Sequence, residues 1–232
     1  MAIPQEGDSS AVVLNEALRI GARVKADDPV SEHAPRLLAQ RHALKLAMRE
    51  RQDADDEVIL CEGAVDSRRA ATDAEVTAFG SRVAGHYAKA GAPGEEHAEY
   101  VRLFDERTPS KLLPAADADR VAAVAELETR IEAKETALEI KKGAAGLLAA
   151  IGREQEAVTA RDKANKKLDQ ASAREAAAKT GLIQAVRECS GSLLKTLPAE
   201  PGRVRRLLGQ KEPRRTKKKE KGDTTPPAAP AQ

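Results

Sequence analysis

The sequence predicts an all-α protein: an elongated antiparallel helical bundle or coiled coil of about four principal helices, with short capping helices and a disordered basic C-terminal tail. Three observations predict this. The 232 residues include no Trp, two Tyr and two Phe, too few aromatic side chains for the core of a sandwich, a barrel or an α/β enzyme. Alanine is abundant, with 45 residues, which is typical of long helices with thin seams. Apolar residues also recur at a seven-residue step.

A short first helix is predicted after residues 1–8, which we expect to be disordered. Asp and Ser residues at positions 8–10 offer N-caps for this helix. Positions 27–29, Asp-Asp-Pro, end it. Its apolar side chains follow helical spacing at Val13, Ala17, Ile20 and Val24.

A long helix is predicted from about Pro35 to Ala90, a stretch without another proline. A second apolar row, at Ala47, Ala54 and Cys61, accompanies its main seven-residue row. At 1.5 Å per residue this helix would extend about 80 Å. The seam can close within one chain or between two, so the oligomeric state stays open. The main row consists of Leu37, Leu44, Arg51, Val58, Val65, Thr72 and Phe79.

Glycines and prolines divide the rest of the helical body. The clearest break is Gly-Ala-Pro-Gly at 91–94, and a short amphipathic helix should follow it. A third principal helix begins near Asp117, and glycines at 143, 146 and 152 leave its end ambiguous. A second long helix is predicted over 147–197. The apolar face of the third helix is predicted to be Val121, Val124, Leu127, Ile131 and Leu138.

A faint internal repeat suggests that the body, residues 9–202, consists of two helical hairpins, at about 9–110 and 115–213. Arg-Leu-Phe at 102–104 is echoed by Arg-Leu-Leu at 206–208, and each is followed by a proline five residues on. A true duplication would relate the hairpins by a pseudo-twofold axis. Alanine-rich helices also generate such matches through composition alone.

The tail is strongly basic, whereas the body is acidic. Residues 203–221 contain ten Lys and Arg against two Glu, and the preceding 202 residues contain 29 basic and 34 acidic residues. Residues 210–232 lack apolar periodicity and should be disordered. The candidate residues for binding nucleic acid or another anionic partner are Arg203, Arg205, Arg206, Lys211, Arg214, Arg215, Lys217, Lys218, Lys219 and Lys221.

Nucleic acid is one of several partners that such a tail can bind. Because the tail has no aromatic residue to stack on bases, we expect any such binding to be independent of sequence and directed to phosphates. The alternatives are a contact with the acidic helices of the same chain, a protein partner, a solubilising tail with no partner, and, less favoured, an anionic membrane surface.

Four apolar residues on the short helices also have two interpretations. They can pack on the end of the bundle as caps, or they can present a face to a protein partner. These residues are Tyr100, Phe104, Leu207 and Leu208.

Enzyme, metal and cofactor signatures are missing from the sequence. No acid lies three residues before any of the four histidines, and no HExxH, CxxC or phosphate-loop motif occurs. We therefore expect no metal and no cofactor. Cys61 and Cys189 lie on helical apolar stripes, where buried and inert thiols are expected, and two cysteines favour a reducing compartment.

The apolar run at 143–152 is half the length of a membrane span, so we expect a cytoplasmic protein. The leading hypothesis is a non-enzymatic structural or scaffolding protein that binds other proteins or itself through its helices. The alternative is a nucleic-acid-associated protein that uses its tail.

Overall fold

The structure, a computed structural model, describes residues 3–89, 91, 94–105, 107–114 and 117–210, and none of these residues lies in a β-strand. The all-helical prediction is therefore confirmed for this part of the chain. The molecule divides into two compact units. Unit 1 comprises residues 1–45 and 177–232, and unit 2 comprises residues 46–176.

The described residues form seven α-helices. Three short 3₁₀ segments join them, at Asp28–His33, Gly94–Glu96 and Pro109–Lys111. The α-helices are α1 (Ser10–Lys25), α2 (Ala34–Lys89), α3 (Ala98–Phe104), α4 (Asp117–Glu132), α5 (Leu138–Gly143), α6 (Ala145–Thr196) and α7 (Pro201–Leu207).

Helix α1 begins and ends where the sequence predicts. The Ser9 hydroxyl accepts a hydrogen bond from the Val12 N–H, so Ser9 is the N-cap. The four apolar side chains predicted for its buried face are all buried. The prediction of disorder up to residue 8 does not fit residues 3–8, because Pro4 is buried and the Glu6 carbonyl accepts a hydrogen bond from Lys179 at 2.7 Å.

The heptad seam of α2 is buried at six of its seven predicted positions. The exception is Arg51, whose guanidinium is half-exposed and pairs with the Glu175 carboxylate at 2.6 Å. A long flexible arginine can leave the seam in this way because its charged end reaches an acid on the neighbouring helix.

Helices α2 and α6 run antiparallel within unit 2. As residue numbers rise along α2, those of the ion-pair partners on α6 fall: Glu50 pairs with Arg174 at 3.5 Å, Glu57 with Lys167 at 2.7 Å and Arg69 with Glu154 at 3.9 Å. The seam between these pairs is built from small residues, which allow two helices to approach closely. Its buried alanines are Ala47, Ala54, Ala164 and Ala171.

The third helix ends earlier than predicted. Helix α4 stops at Glu132, and residues 133–137 form the break although they contain neither glycine nor proline. The Thr136 hydroxyl donates to the Arg130 carbonyl at 2.8 Å and thereby satisfies one of the last carbonyls of α4. The prediction was also wrong for Val121 and Leu138, which are both exposed. The glycines at 146 and 152 lie inside α6.

The order of elements repeats along the chain. A 16-residue helix (α1 or α4), a long helix (α2 or α6) and a seven-residue helix (α3 or α7) follow one another twice. Unit 1 contains α1, the start of α2, the end of α6 and α7. Unit 2 contains α4, the start of α6, the end of α2 and α3. The two units are thus assembled from matching sets of elements.

Most buried positions correspond across this repeat. Four buried residues of α1 correspond to buried residues of α4 at a step of 107, as Ile20 does to Leu127, whereas the buried Leu14 corresponds to the exposed Val121. The long helices match at a step of 110, as Leu37 does to Leu147, and the short helices at 104, as Leu103 does to Leu207. The predicted repeat therefore extends to buried positions in all three pairs of helices.

Enlarging the alanine seam should destabilise the protein. We expect Ala164→Leu to reduce the free energy of unfolding by about 1 to 3 kcal/mol, because the extra carbons must fit between two closely packed helices. The matched control is Ala173→Leu, the same substitution at an exposed position of the same helix. Urea denaturation followed by circular dichroism measures the free energy of unfolding of both variants. Equal values for the two variants would contradict the close approach of α2 and α6.

A buried charge cluster as candidate functional site

A cluster of charged and polar side chains lies buried in unit 2, where α4 meets α2 and α6. The guanidinium of Arg120, on α4, binds both carboxylate oxygens of Glu154, on α6, at 2.5 and 3.0 Å. The same guanidinium donates to Asp73, on α2, at 2.8 Å. Only 4% of Arg120 and 5% of Glu154 are exposed. Through Glu154 and Asp73, Arg120 therefore connects α4 to α6 and to α2 in a region from which water is largely excluded.

Both members of the pair are held in their charged forms. Burial alone raises the pKa of Glu154, but the hydrogen bond from Arg120 and the nearby Thr72 hydroxyl outweigh it and lower this pKa below its usual value. Burial likewise lowers the pKa of Arg120, and Glu154 and Asp73 more than restore it. The ionised Glu154 thus stabilises the fold above its ordinary pKa, and that contribution is lost as the pH falls through its lowered, folded-state pKa.

Unit 1 has apolar side chains at the equivalent positions. At the steps given above, Arg120 corresponds to Val13, Glu154 to Leu44 and Thr72 to Leu182, and these three apolar residues are fully buried. Corresponding buried positions are therefore apolar in unit 1 and charged or polar in unit 2. Buried ion pairs are often no more stabilising than apolar residues of similar volume, so the fold itself does not require the charges.

A cleft of about 200 Å³ opens beside the cluster. Val121 lies on its rim and is 62% exposed, whereas its counterpart in unit 1, Leu14, is 9% exposed. The Thr159 hydroxyl, which also lines the cleft, donates to the Gln155 carbonyl within its own helix at 2.9 Å. The lining residues are Arg69, Arg120, Val121, Val124, Ile151, Glu154, Gln155, Val158 and Thr159.

The cleft can hold a small apolar group, and the charges at its base chiefly position α4. Arg120 and Glu154 neutralise each other, and the lining contains no thiol, imidazole or serine that could act as a nucleophile or a base.

Arg120 and Glu154 were not predicted from the sequence, although one signal pointed to Glu154. This residue lies at the seven-residue step that joins Leu147 to Leu182 and Cys189 on α6. A charge that is buried at such a position calls for a buried partner. Arg120 was not predicted to be buried, because the apolar series predicted for this helix begins one residue later, at Val121.

A second polar network in unit 2 is centred on Tyr87 and Glu99. The Tyr87 hydroxyl donates to Glu99, and the His97 ring stacks on the Tyr87 ring with centroids 3.7 Å apart. Burial, followed by the hydrogen bond to Glu99, raises the pKa of Tyr87. Glu99 also accepts the Ala137 N–H at 2.9 Å. The network thus joins the end of α2 to α3 and to the break after α4.

The predicted partner face is buried. Tyr100 and Phe104 pack in the core of unit 2, where the Phe104 ring lies 4.7 Å from that of Tyr100 and 6.0 Å from that of Phe79. Leu207 and Leu208 are buried in unit 1. These side chains cover the core of their own units, which is the capping alternative, and they present no exposed face.

The predicted basic site is only partly within the described residues. Arg203 pairs with Asp27 at 2.6 Å and with Glu200 at 3.2 Å, so this cation is engaged within unit 1. Arg205 and Arg206 are exposed and form no ion pair with a described residue. The predicted disordered tail lies outside the described residues from position 211 onward, and with it the other predicted cations: Lys211, Arg214, Arg215, Lys217, Lys218, Lys219 and Lys221.

The two cysteines differ in burial. Cys189 is buried, and burial raises the pKa of its thiol, so it is a poor nucleophile near neutral pH. Cys61 is half-buried on α2. Within the described part of the chain, no helix combines the length and the apolar character needed to cross a membrane.

Replacing the charged cluster by the residues of unit 1 should leave a folded protein. We expect Arg120→Val alone to lower the free energy of unfolding by about 3 to 5 kcal/mol, because Glu154 is then buried without its partner. The triple variant Arg120→Val, Glu154→Leu, Thr72→Leu should recover most of this loss. Urea denaturation compares the two, and a triple variant as unstable as the single one would contradict the equivalence of the units.

No protein-family model matches this chain, and no curated protein or solved structure matches it.

Proposed function

We propose that the chain is a non-enzymatic structural or interaction protein, an elongated antiparallel bundle in which α2 and α6 form a coiled coil. The observation that carries this proposal is the descending order of ion-pair partners along α2 and α6 in unit 2, with buried alanines between them. A regular seam of this kind positions two helices along their length, which is the property that spacers and scaffolds use.

The burial of charged residues supports the same proposal. The buried pair Arg120 and Glu154 is satisfied internally, and Tyr87 and Glu99 are likewise paired with each other. Each of these groups joins helices of unit 2. A catalytic acid or base needs a hydrogen-bonding position that substrate can reach, and these groups are occupied by contacts that hold the fold.

Solution scattering tests the elongated bundle. A compact protein of this length has a radius of gyration of about 17 Å. A helical rod of about 80 Å has one of about 24 Å, and we expect a value near the larger figure. The full chain should be measured at several concentrations and extrapolated to zero, so that association does not enlarge the value. A radius near that of a compact domain would contradict the proposal.

The non-enzymatic assignment has its own test. A turnover activity that persists through repeated purification and is abolished by Val121→Glu, a substitution at the rim of the cleft, would identify the cleft as an active site and overturn the assignment.

Phosphate binding through the tail is the second candidate function. It is favoured by Arg205 and Arg206, which lie exposed on α7 without ion-pair partners among the described residues. Seven further Lys and Arg follow between residues 211 and 221. Such a series can neutralise successive phosphates of a nucleic acid and release their counterions.

Truncation after Gln210 removes seven cations but keeps Arg205 and Arg206, so it should weaken this binding and reduce its salt dependence. We expect the full chain to bind a DNA duplex with an affinity that falls steeply as salt rises, because each phosphate contact contributes about 0.9 to the slope of log affinity against log salt. The matched control is a chain ending at Thr224, which keeps every cation of the tail. Fluorescence anisotropy measures all three proteins. If the full chain and the chain ending at Gln210 bind DNA with equal affinity and equal salt dependence, residues 211–232 do not contribute to DNA binding.

A further inference from the structure

Three arginines line one open pocket of unit 1, between the end of α1 and α7. Arg23 comes from the last turn of α1, and Arg203 and Arg206 come from α7. The pocket has a volume of about 630 Å³, and its wall also carries the carboxylates of Asp27 and Glu200. Three cations and two anions give this wall a net charge of +1. We call it the arginine pocket.

Arg203 engages both acids of the arginine pocket. Its guanidinium donates to the two carboxylate oxygens of Asp27, at 2.6 and 3.0 Å, and to Glu200 at 3.2 Å. This bidentate contact holds α7 against the residue that follows the C-cap of α1. Both carboxylates of the pocket are therefore paired with a cation, and the cation that pairs with them is Arg203.

Arg23 and Arg206 are the two available cations of the arginine pocket. Both residues are exposed, and neither guanidinium forms a hydrogen bond or an ion pair with a described residue. A guanidinium group presents its N–H donors as a planar fork that matches two oxygens of a phosphate or a carboxylate. Two such groups on the wall of one pocket can bind a single anion together.

Gly209 leaves the space in which the Arg23 guanidinium lies. The φ angle of Gly209 is +71°, and a Cβ at this residue would overlap a terminal nitrogen of Arg23. The N–H groups of Gly209 and Gln210 donate to the carbonyls of Arg206 and Arg205, at 3.1 and 2.8 Å, which is the Schellman arrangement that ends a helix at glycine. Glycine therefore suits both the end of α7 and the position of Arg23.

The most basic part of the sequence begins directly beyond this pocket. Gln210 follows Gly209, and the next eleven residues, 211–221, include seven Lys and Arg. A nucleic acid presents a phosphate about every 3.4 Å along each strand. The pocket and residues 211–221 can therefore bind neighbouring phosphates of one strand, whereas a free phosphate ion would use the pocket alone.

We propose that the arginine pocket binds a phosphate of a nucleic-acid backbone through the guanidinium groups of Arg23 and Arg206. This inference rests on the second candidate function, phosphate binding through the tail, and adds to it a site within the helices of unit 1. Arg23 brings α1 into this site, and the sequence did not predict that contribution. The pocket determines where the backbone lies on unit 1, and the cations after Gln210 bind the phosphates that follow.

Removing the two available charges tests this site. In the full chain, we expect Arg23→Gln, Arg206→Gln to weaken binding of a DNA duplex about tenfold. The slope of log affinity against log salt should fall by about 0.9, because one phosphate contact is lost. The matched control is Arg49→Gln, Arg68→Gln, which removes the same charge from exposed arginines of unit 2 that form no ion pair with a described residue. Fluorescence anisotropy up to near-physiological salt should show that this control binds like the natural chain.

A variant that conserves charge distinguishes a guanidinium site from a positive surface. Arg23→Lys, Arg206→Lys keeps both charges, but an ammonium group cannot bind two phosphate oxygens as a planar fork does. We expect this variant to bind DNA more weakly than the natural chain, with an unchanged salt slope. Affinity equal to that of the natural chain would overturn the guanidinium site. Circular dichroism melting of each variant confirms that the protein stays folded.

The remaining outcomes separate this inference from the function on which it rests. A natural chain that does not bind DNA overturns both. If truncation after Gln210 weakens binding but Arg23→Gln, Arg206→Gln does not, the pocket alone is overturned. Equal losses in this variant and in the control of unit 2 also overturn the pocket, because net charge then explains the binding. If inorganic phosphate raises the melting temperature only when both arginines are present, and DNA affinity does not depend on them, nucleic acid is overturned as the source of the phosphate.

Discussion

The close approach of α2 and α6 is the constraint on which the other contacts depend. Both helices contribute to both units, and in unit 2 buried alanines lie between them. Small side chains bring the helices near enough for ion pairs such as Glu57 with Lys167 to form across the seam. Small side chains bury little apolar surface between these two helices. In each unit a 16-residue helix and a seven-residue helix bury more.

The two units show how one arrangement of helices accepts different cores. Three corresponding buried positions are occupied by Val13, Leu44 and Leu182 in unit 1 and by Arg120, Glu154 and Thr72 in unit 2. The apolar version gains its stability from burial, and the charged version from a bidentate pair whose charges cannot be separated without a large penalty.

Much of the fold could be predicted from the sequence, because the signals were local and periodic. The seven-residue row identified α2, and the Ser9 cap with four spaced apolar residues identified α1. The break at 133–137 could not be predicted, since it depends on the Thr136 hydroxyl and on contacts from distant residues. The charge cluster could not be predicted either, because Arg120 and Glu154 are 34 residues apart and only the folded chain brings them together.

The difference between the two cores also bears on how the chain assembles. Because the order of elements repeats, α1 and α4 are helices of equal length that hold corresponding places in the two sets of elements. If α1 entered the groove of unit 2, Val13 would lie against Glu154 and leave a buried carboxylate unpaired. If α4 entered that of unit 1, Arg120 would be buried among leucines. Either exchange would bury a charge without its partner, so the Arg120–Glu154 pair disfavours it relative to the native pairing of helix and unit.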